Sequence, residues 1–328
     1  MDVDLFAPAT QEDWYPTYQY LRDELPVYRI PGTDDYVITR YDDIMSVLRH
    51  QRTFPTGASK RRSEAAQAVY DRGGWQRMTP LGTNPPVHRH YRALVDHFFT
   101  GPGLDRWRTV IEAYIDEQFA TFESDGRVEW NSQYAVPVPV RVISHLLGLP
   151  QADIAKLKNW SAAWILPFVR PLQPDEDVWV AEQLVEMYDY LAGQIETKRT
   201  EPGDDVITFL AWAGFAGDGE ISGVPIPKGS TVHLRYGSGN RDERMFECPA
   251  EVRLDRPNSR RHLAFTLGEH QCPGADLSRL EQVLTLEAAL RRLPDLRLAD
   301  GQNDFSHVAM FTMRALRELH LEFTPAGR

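Results

Sequence analysis

The chain has 328 residues, 42% of them hydrophobic and 25% charged, a composition suited to a globular protein with a sizeable core. Its formal net charge of −11 argues against nucleic acid as a partner, because phosphate binding needs a basic surface. No apolar run of about 18 residues occurs, so no membrane span is expected. The acidic start Met1-Asp2-Val3-Asp4 lacks the basic and apolar stretches of a secretory signal. Two cysteines, Cys248 and Cys272, cannot build a disulfide framework, and a reducing, cytoplasmic compartment is expected.

In chain order, residues 12–25 read as a short helix ending before Pro26. Strands at 27–30 and 36–39 flank the turn Pro31-Gly32-Thr33-Asp34 and form a hairpin. Asp42 is placed to cap a helix carrying Ile44, Val47 and Leu48. Residues 53–83 read as loop with room for one helical turn. Asn84-Pro85-Pro86 then opens a helix carrying Leu94, Val95, Phe98 and Phe99, on which His88 and Arg92 are four apart and share a face. From that face both can reach one anion, while Arg89 and His90 face solvent. Further helices are expected over 104–122, 136–149, 153–168 and 178–199, with a strand over 126–130 and breaks at Pro167, Pro171 and Pro174. Residues 206–212 start an apolar helix, and 218–229 read as strand, turn and strand. A strand at 230–234 follows, and alternation at Leu296 and Leu298 and at Leu319, Leu321 and Phe323 gives a terminal sheet. The expected fold class is mainly α with small β-sheets (α+β), in a single domain over 1–328.

The stretch Phe265-Thr266-Leu267-Gly268-Glu269-His270-Gln271-Cys272-Pro273-Gly274 delivers one thiol to the start of a helix carrying Leu277, Leu280, Val283, Leu284 and Leu290. Proline suits the first helical position, which puts Cys272 at the N-cap. There the positive end of the helix favours a thiolate, the metal-binding form. Gly268 and Gly274 remove side chains on either side of the sulfur and allow close backbone approach or positive φ.

Phe265, Gly268, His270, Cys272 and Gly274, with Leu277, Ser278 and Arg279 behind them, resemble the heme-binding loop of the cytochrome P-450 family of heme-thiolate monooxygenases, in their soluble bacterial type. Pro85-Pro86-Val87-His88 with Arg92, and Gly239-Asn240-Arg241-Asp242, resemble two further segments of that family. The resemblance implies a cytochrome P-450-like fold and a heme b (iron protoporphyrin IX) whose iron takes Cys272 as its ligand. His88, Arg92 and His270 would meet the heme propionates, with Phe265 packed near the sulfur. It also implies insertion of one oxygen atom of O2 into a small to medium hydrophobic organic substrate, with Met78, Leu81, Leu166, Phe168 and Met310 as pocket candidates. Electrons would come from a ferredoxin-type donor with its reductase, for which Arg106 and Arg108 are docking candidates.

Two departures stand out against the family pattern. Thr266 occupies the position after the phenylalanine where glycine is usual. Near residues 212–220 the chain passes directly from helix to strand, so the family's central distal helix, with its Ala-Gly-x-Asp/Glu-Thr stretch, and its Glu-x-x-Arg helix are missing. Glu196-Thr197-Lys198-Arg199 and Ala216-Gly217-Asp218-Gly219 echo those stretches only by chance. The expected fold is therefore an internally truncated one, and the alternative function is a catalytically impaired or non-catalytic heme-binding protein. A zinc site using Cys272 and His270 with Cys248 or His262 is a third reading, and it leaves His88 and Arg92 unexplained.

Overall fold

The computed structural model describes residues 3–50, 53–56, 63–73, 84–85, 87–169, 172–201, 206–209, 231–308 and 313–325. In chain order the helices are α1 (Pro8–Glu12), α2 (Trp14–Glu24), α3 (Tyr41–Arg49), α4 (Glu64–Gly73), α5 (Val87–Phe99), α6 (Gly101–Asp105), α7 (Arg108–Ala120), α8 (Pro137–Leu146), α9 (Ile154–Val169), α10 (Pro174–Thr200), α11 (Val206–Phe209), α12 (Tyr236–Gly239) and α13 (Ala275–Arg292). The strands are β1 (Val27–Arg29), β2 (Asp35–Ile38), β3 (Arg127–Glu129), β4 (Thr231–Leu234), β5 (Arg297–Leu298) and β6 (His320–Glu322). Among the described residues the class is mainly helical with two small sheets. The chain divides into two compact units, one drawn from Met1–Arg61, Arg77–Arg92 and Ala213–Cys272, the other from Arg62–Gln76, Ala93–Trp212 and Pro273–Arg328.

The first unit holds the expected hairpin. β1 runs antiparallel to β2, with Val27 opposite Ile38, and β4 adds in parallel on the far side of β2, with Asp35 opposite Thr231. Its core joins Ile38 to Tyr41, Ile44, Val47 and Leu48 of α3 and to Phe246 and Leu263. Leu263 matters because it is fully buried and lies directly upstream of the cysteine loop. Asp42 does not cap α3. It sits in the first turn, where its charge still suits the positive helix end, and the amide of Tyr41 is taken by Asp242 Oδ2 at 2.9 Å. A carboxylate distant in sequence does the work expected of a local one.

The second unit packs α7, α8 and α13 around Ile111, Ile115, Phe119, Val142, Leu146, Leu284 and Leu293, with β3, β6 and β5 forming an antiparallel sheet at its side. A smaller cluster joins Ala66, Val69 and Tyr70 of α4 to Val180, Ala181 and Leu184 of α10. That burial explains why residues 64–73 make a ten-residue helix instead of a single turn. Pro167 does not break α9, because Trp160 and Ala163 anchor the helix in the interior. Pro174 is the first residue of α10, behind a capping box in which the Glu176 carboxylate accepts the Gln173 amide at 2.9 Å.

Helix α13 is apolar on two sides, and only one is covered. Leu277, Leu284, Ala288 and Ala289 are buried, whereas Val283, Leu286 and Leu290 are 50%, 62% and 83% exposed. Spacings of three and four place these three on one face.

Candidate heme site

The site begins with the segment that fixes where the cysteine loop starts. The Asn240 side chain accepts the Leu263 amide at 2.6 Å, and Asp242, buried, holds α3 and the amide of Arg244. Gly239 has no room for more: a Cβ there would lie 2.8 Å from Leu263 Cδ1 and 3.0 Å from Ile44 Cδ1. The Gly239-Asn240-Arg241-Asp242 stretch thus ties the loop's upstream end to the core of the first unit. Its sequence was conspicuous, but its task was not readable without the fold.

From Leu263 the backbone folds back on itself. Thr266 donates its amide to the Leu263 carbonyl (2.9 Å), Gln271 to Gly268 (3.1 Å), and Cys272 to Phe265 (2.9 Å). The last bond closes the loop and fixes the peptide that carries the thiol. Two residues need left-handed backbone, Gly268 at φ 77° and Thr266 at φ 50°. Gly268 is required there: a Cβ would also meet the Leu48 carbonyl at 3.1 Å. Thr266, β-branched, holds the same region at a cost. Cys272 is a free, half-buried thiol.

The expectation that Cys272 caps the helix is corrected. Gly274 is the N-cap of α13, with φ −80° and no left-handed geometry, so Pro273 precedes the helix and the thiol sits two residues before the cap. The first helical bond runs from the Ser278 amide to the Gly274 carbonyl. Proline supplies a fixed φ in the approach instead of the first turn.

Opposite the loop stand the first turns of α5. Asn84 exchanges two 2.7 Å hydrogen bonds with the Thr56 backbone, and its own carbonyl accepts the His88 amide at 3.1 Å. His88 is 3% exposed, and its ring lies against the His270 ring with centroids 3.9 Å apart. Arg92 Nη1 donates to the carbonyls of Glu269 (3.2 Å) and Gln271. Arg89, assigned to solvent from sequence, is exposed yet donates to Glu269 Oε1 through Nε at 3.0 Å and also through Nη2. His88, Arg92, His270 and the loop carrying Cys272 are therefore brought together. Burial, with the nearby charges of His88 and Arg92, pushes the His270 pKa down to about 4 against an opposing pull from Glu269, so the imidazole is neutral at pH 7.

Both ring nitrogens of His270 are buried with no hydrogen-bond partner among the described residues. A buried polar group in that state is expensive, and a carboxylate accepting from the ring relieves it. A half-buried thiol, a glycine turn without space for a side chain, and an orphaned histidine beside an arginine fit a heme carrying two propionates.

Other candidates fare differently. Met78, Leu81 and Met310 lie outside the described residues, as does the 212–220 stretch, and the Phe168 side chain is likewise not described. Leu166 packs on the α4–α10 cluster of the second unit. Arg106 lies over the Trp107 ring at 4.2 Å, and Arg108 pairs with Glu112 at 3.7 Å. Glu196 and Arg199 pair with each other on the exposed end of α10. Cys248 is exposed, and no group of three or more His, Cys, Asp or Glu side chains among the described residues is arranged to hold a metal ion.

A largely helical fold that presents one thiol on a tight loop against a histidine and arginine pair suits a heme-thiolate site. The family model described as Cytochrome P450 (P-450 below) matches residues 216–305. Cytochrome P-450 107B1 of Saccharopolyspora erythraea is 28% identical over 401 residues, spanning 97% of this chain and 97% of that protein. Cytochrome P-450(MEG) of Priestia megaterium is 24% identical over 388 residues, 92% of this chain and 94% of that one. The crystal structure of the Tepidiphilus thermophilus P-450 heme domain matches with a TM-score of 0.83 at 22% identity, over 99% of this chain and 97% of that chain. The chain is similar to cytochrome P-450 proteins over nearly its whole length, a family whose cofactor is heme b. Both relatives align over more positions than the 328 residues present here, so each carries residues with no counterpart in this chain.

Proposed function

We propose that the protein is a heme-thiolate monooxygenase acting on a small to medium hydrophobic organic substrate, with Cys272 as the iron ligand. The observation that carries the reading is the pair of His270 ring nitrogens, buried without a hydrogen-bond partner among the described residues, beside His88 and Arg92 on the loop that ends in the free thiol. His270, neutral, donates one ring N–H to a propionate, and the Arg92 guanidinium supplies positive charge beside it. His88 backs the His270 ring and restricts its rotation. The Cys272–Phe265 backbone bond holds the sulfur on a fixed peptide, and Phe265 limits water around it. Bound heme supplies activation of O2, which thiolate ligation favours. Electrons come from a ferredoxin-type donor and its reductase. No described helix is long and apolar enough to cross a membrane, and we place the protein in the cytoplasm.

The spectrum of the reduced protein with carbon monoxide tests this. Thiolate ligation gives a strongly red-shifted Soret band, and Cys272→Ser removes it. Unchanged heme uptake and an unchanged spectrum in that variant would overturn the assignment.

A second reading, a heme protein with impaired turnover, is favoured by the relatives' additional residues and by the lack of an Ala-Gly-x-Asp/Glu-Thr stretch in the sequence. On this reading the chain is one domain with an internal deletion near 212–220. Without an acid and hydroxyl to handle protons on the distal side, reducing equivalents drain to peroxide. The purified protein is expected to consume NADH well in excess of hydroxylated product. Tight coupling of the two would refute it.

A further inference from the structure

Resting on the heme reading above, we propose that Glu269 and Arg89 form a latch that holds the cysteine loop against the first turns of α5 and thereby positions Cys272. Three contacts from α5 converge on residues 269–271. Arg89 takes the Glu269 carboxylate, Arg92 takes the Glu269 and Gln271 carbonyls, and His88 lies on the His270 ring. Arg92 takes these two carbonyls, so that contact holds whatever residue stands at 269. The Arg89 contact depends on the Glu269 side chain, as the His88 contact depends on the His270 ring.

The two halves of the latch differ in setting. Glu269 is partly covered, with its Oε2 atom buried, whereas the Arg89 side chain is 70% exposed. The guanidinium hydrogen bonds lower the Glu269 pKa, with burial opposing, and raise that of Arg89. Glu269 thus stays ionised and neutralises Arg89 before any propionate is considered. The latch acts on loop position and not on propionate charge. Its partners are the backbone bonds Gln271 to Gly268 and Cys272 to Phe265, which open when residue 269 swings away.

The pair is solvent-accessible on the arginine side, so its contribution is modest and screened by salt. In the heme-free protein, Glu269→Gln and Arg89→Ala are each expected to raise hydrogen exchange at the Gln271 and Cys272 amides by about two- to five-fold. The double variant should raise it no further, and Arg89→Lys should keep most of the wild-type protection. High salt should speed exchange in the wild type and leave the variants unchanged. In the heme-loaded protein, Glu269→Gln should lower the share of the reduced carbon monoxide complex that shows the red-shifted band. Unchanged exchange in both single variants, or additive effects in the double, overturns the latch. Failure of the chain to take up heme overturns the heme reading instead, while the exchange measurement still decides the latch.

Discussion

Thr266 pairs a branched side chain with a left-handed backbone in the loop that carries the thiol. Each non-glycine residue in that region costs on the order of 1–2 kcal/mol. Thr266→Gly is therefore expected to stabilise the fold by about 1 kcal/mol, somewhat offset by glycine's unfolded-state entropy, read as a raised urea midpoint at unchanged slope. Gly268→Ala should move the midpoint the other way by about 1–3 kcal/mol, since positive φ and the Leu48 carbonyl oppose a Cβ together. Asn240 belongs to the same story. Removing its side chain leaves the Leu263 amide without its acceptor, at a cost of about 1–3 kcal/mol. The Thr266 departure was visible in sequence, and its consequence depended on a dihedral that only the fold supplies.

At the level of the element, α13 concentrates the contrasts. Leu284→Ala removes a buried side chain from the core and should cost about 2–5 kcal/mol, whereas Leu290→Ala on the open face should stay within about 0.5 kcal/mol. Denaturant titrations of the two variants test the difference. Burial raises the Glu281 carboxyl from 4.5 to about 7. The folded chain keeps that proton up to about pH 7, while the unfolded chain releases it near 4.5. This contribution to stability is present below 4.5 and is lost as pH rises through 7, by up to ~3 kcal/mol. Glu281→Gln should flatten that fall, as seen in unfolding free energies measured from pH 4 to 8.

Helix existence was legible wherever apolar periodicity ran long, as in α5, α7, α10 and α13, and the hairpin was legible from its turn residues. Ends and caps were less so. The α3 cap comes from Asp242, distant in sequence, and α4 exists because Val69 and Tyr70 bury against α10. Propensity alone sees neither. The family resemblance brought out His88, Arg92, His270 and Cys272 as a group, but the Arg89–Glu269 pair was invisible because nothing in a linear spacing marks a contact across 180 residues.

For the molecule as a whole, two dissimilar halves share one chain. The cysteine loop and its α5 partners lie within a single unit, while the additional residues of the relatives have no counterpart here. On the proposed reading heme capture and turnover are separable properties: the first draws on the loop and the α5 residues, the second also on a distal side that manages protons. Titrating heme into the apoprotein and following peroxide alongside product measures them independently.

The uncovered row of Val283, Leu286 and Leu290 has a practical consequence at the bench. Aliphatic surface in that arrangement adheres to its like, so elution volume on a sizing column should drift with loading concentration and settle once a mild non-ionic detergent is added. Exchanging Leu286 and Leu290 for glutamine should abolish the drift while leaving the thiolate spectrum untouched.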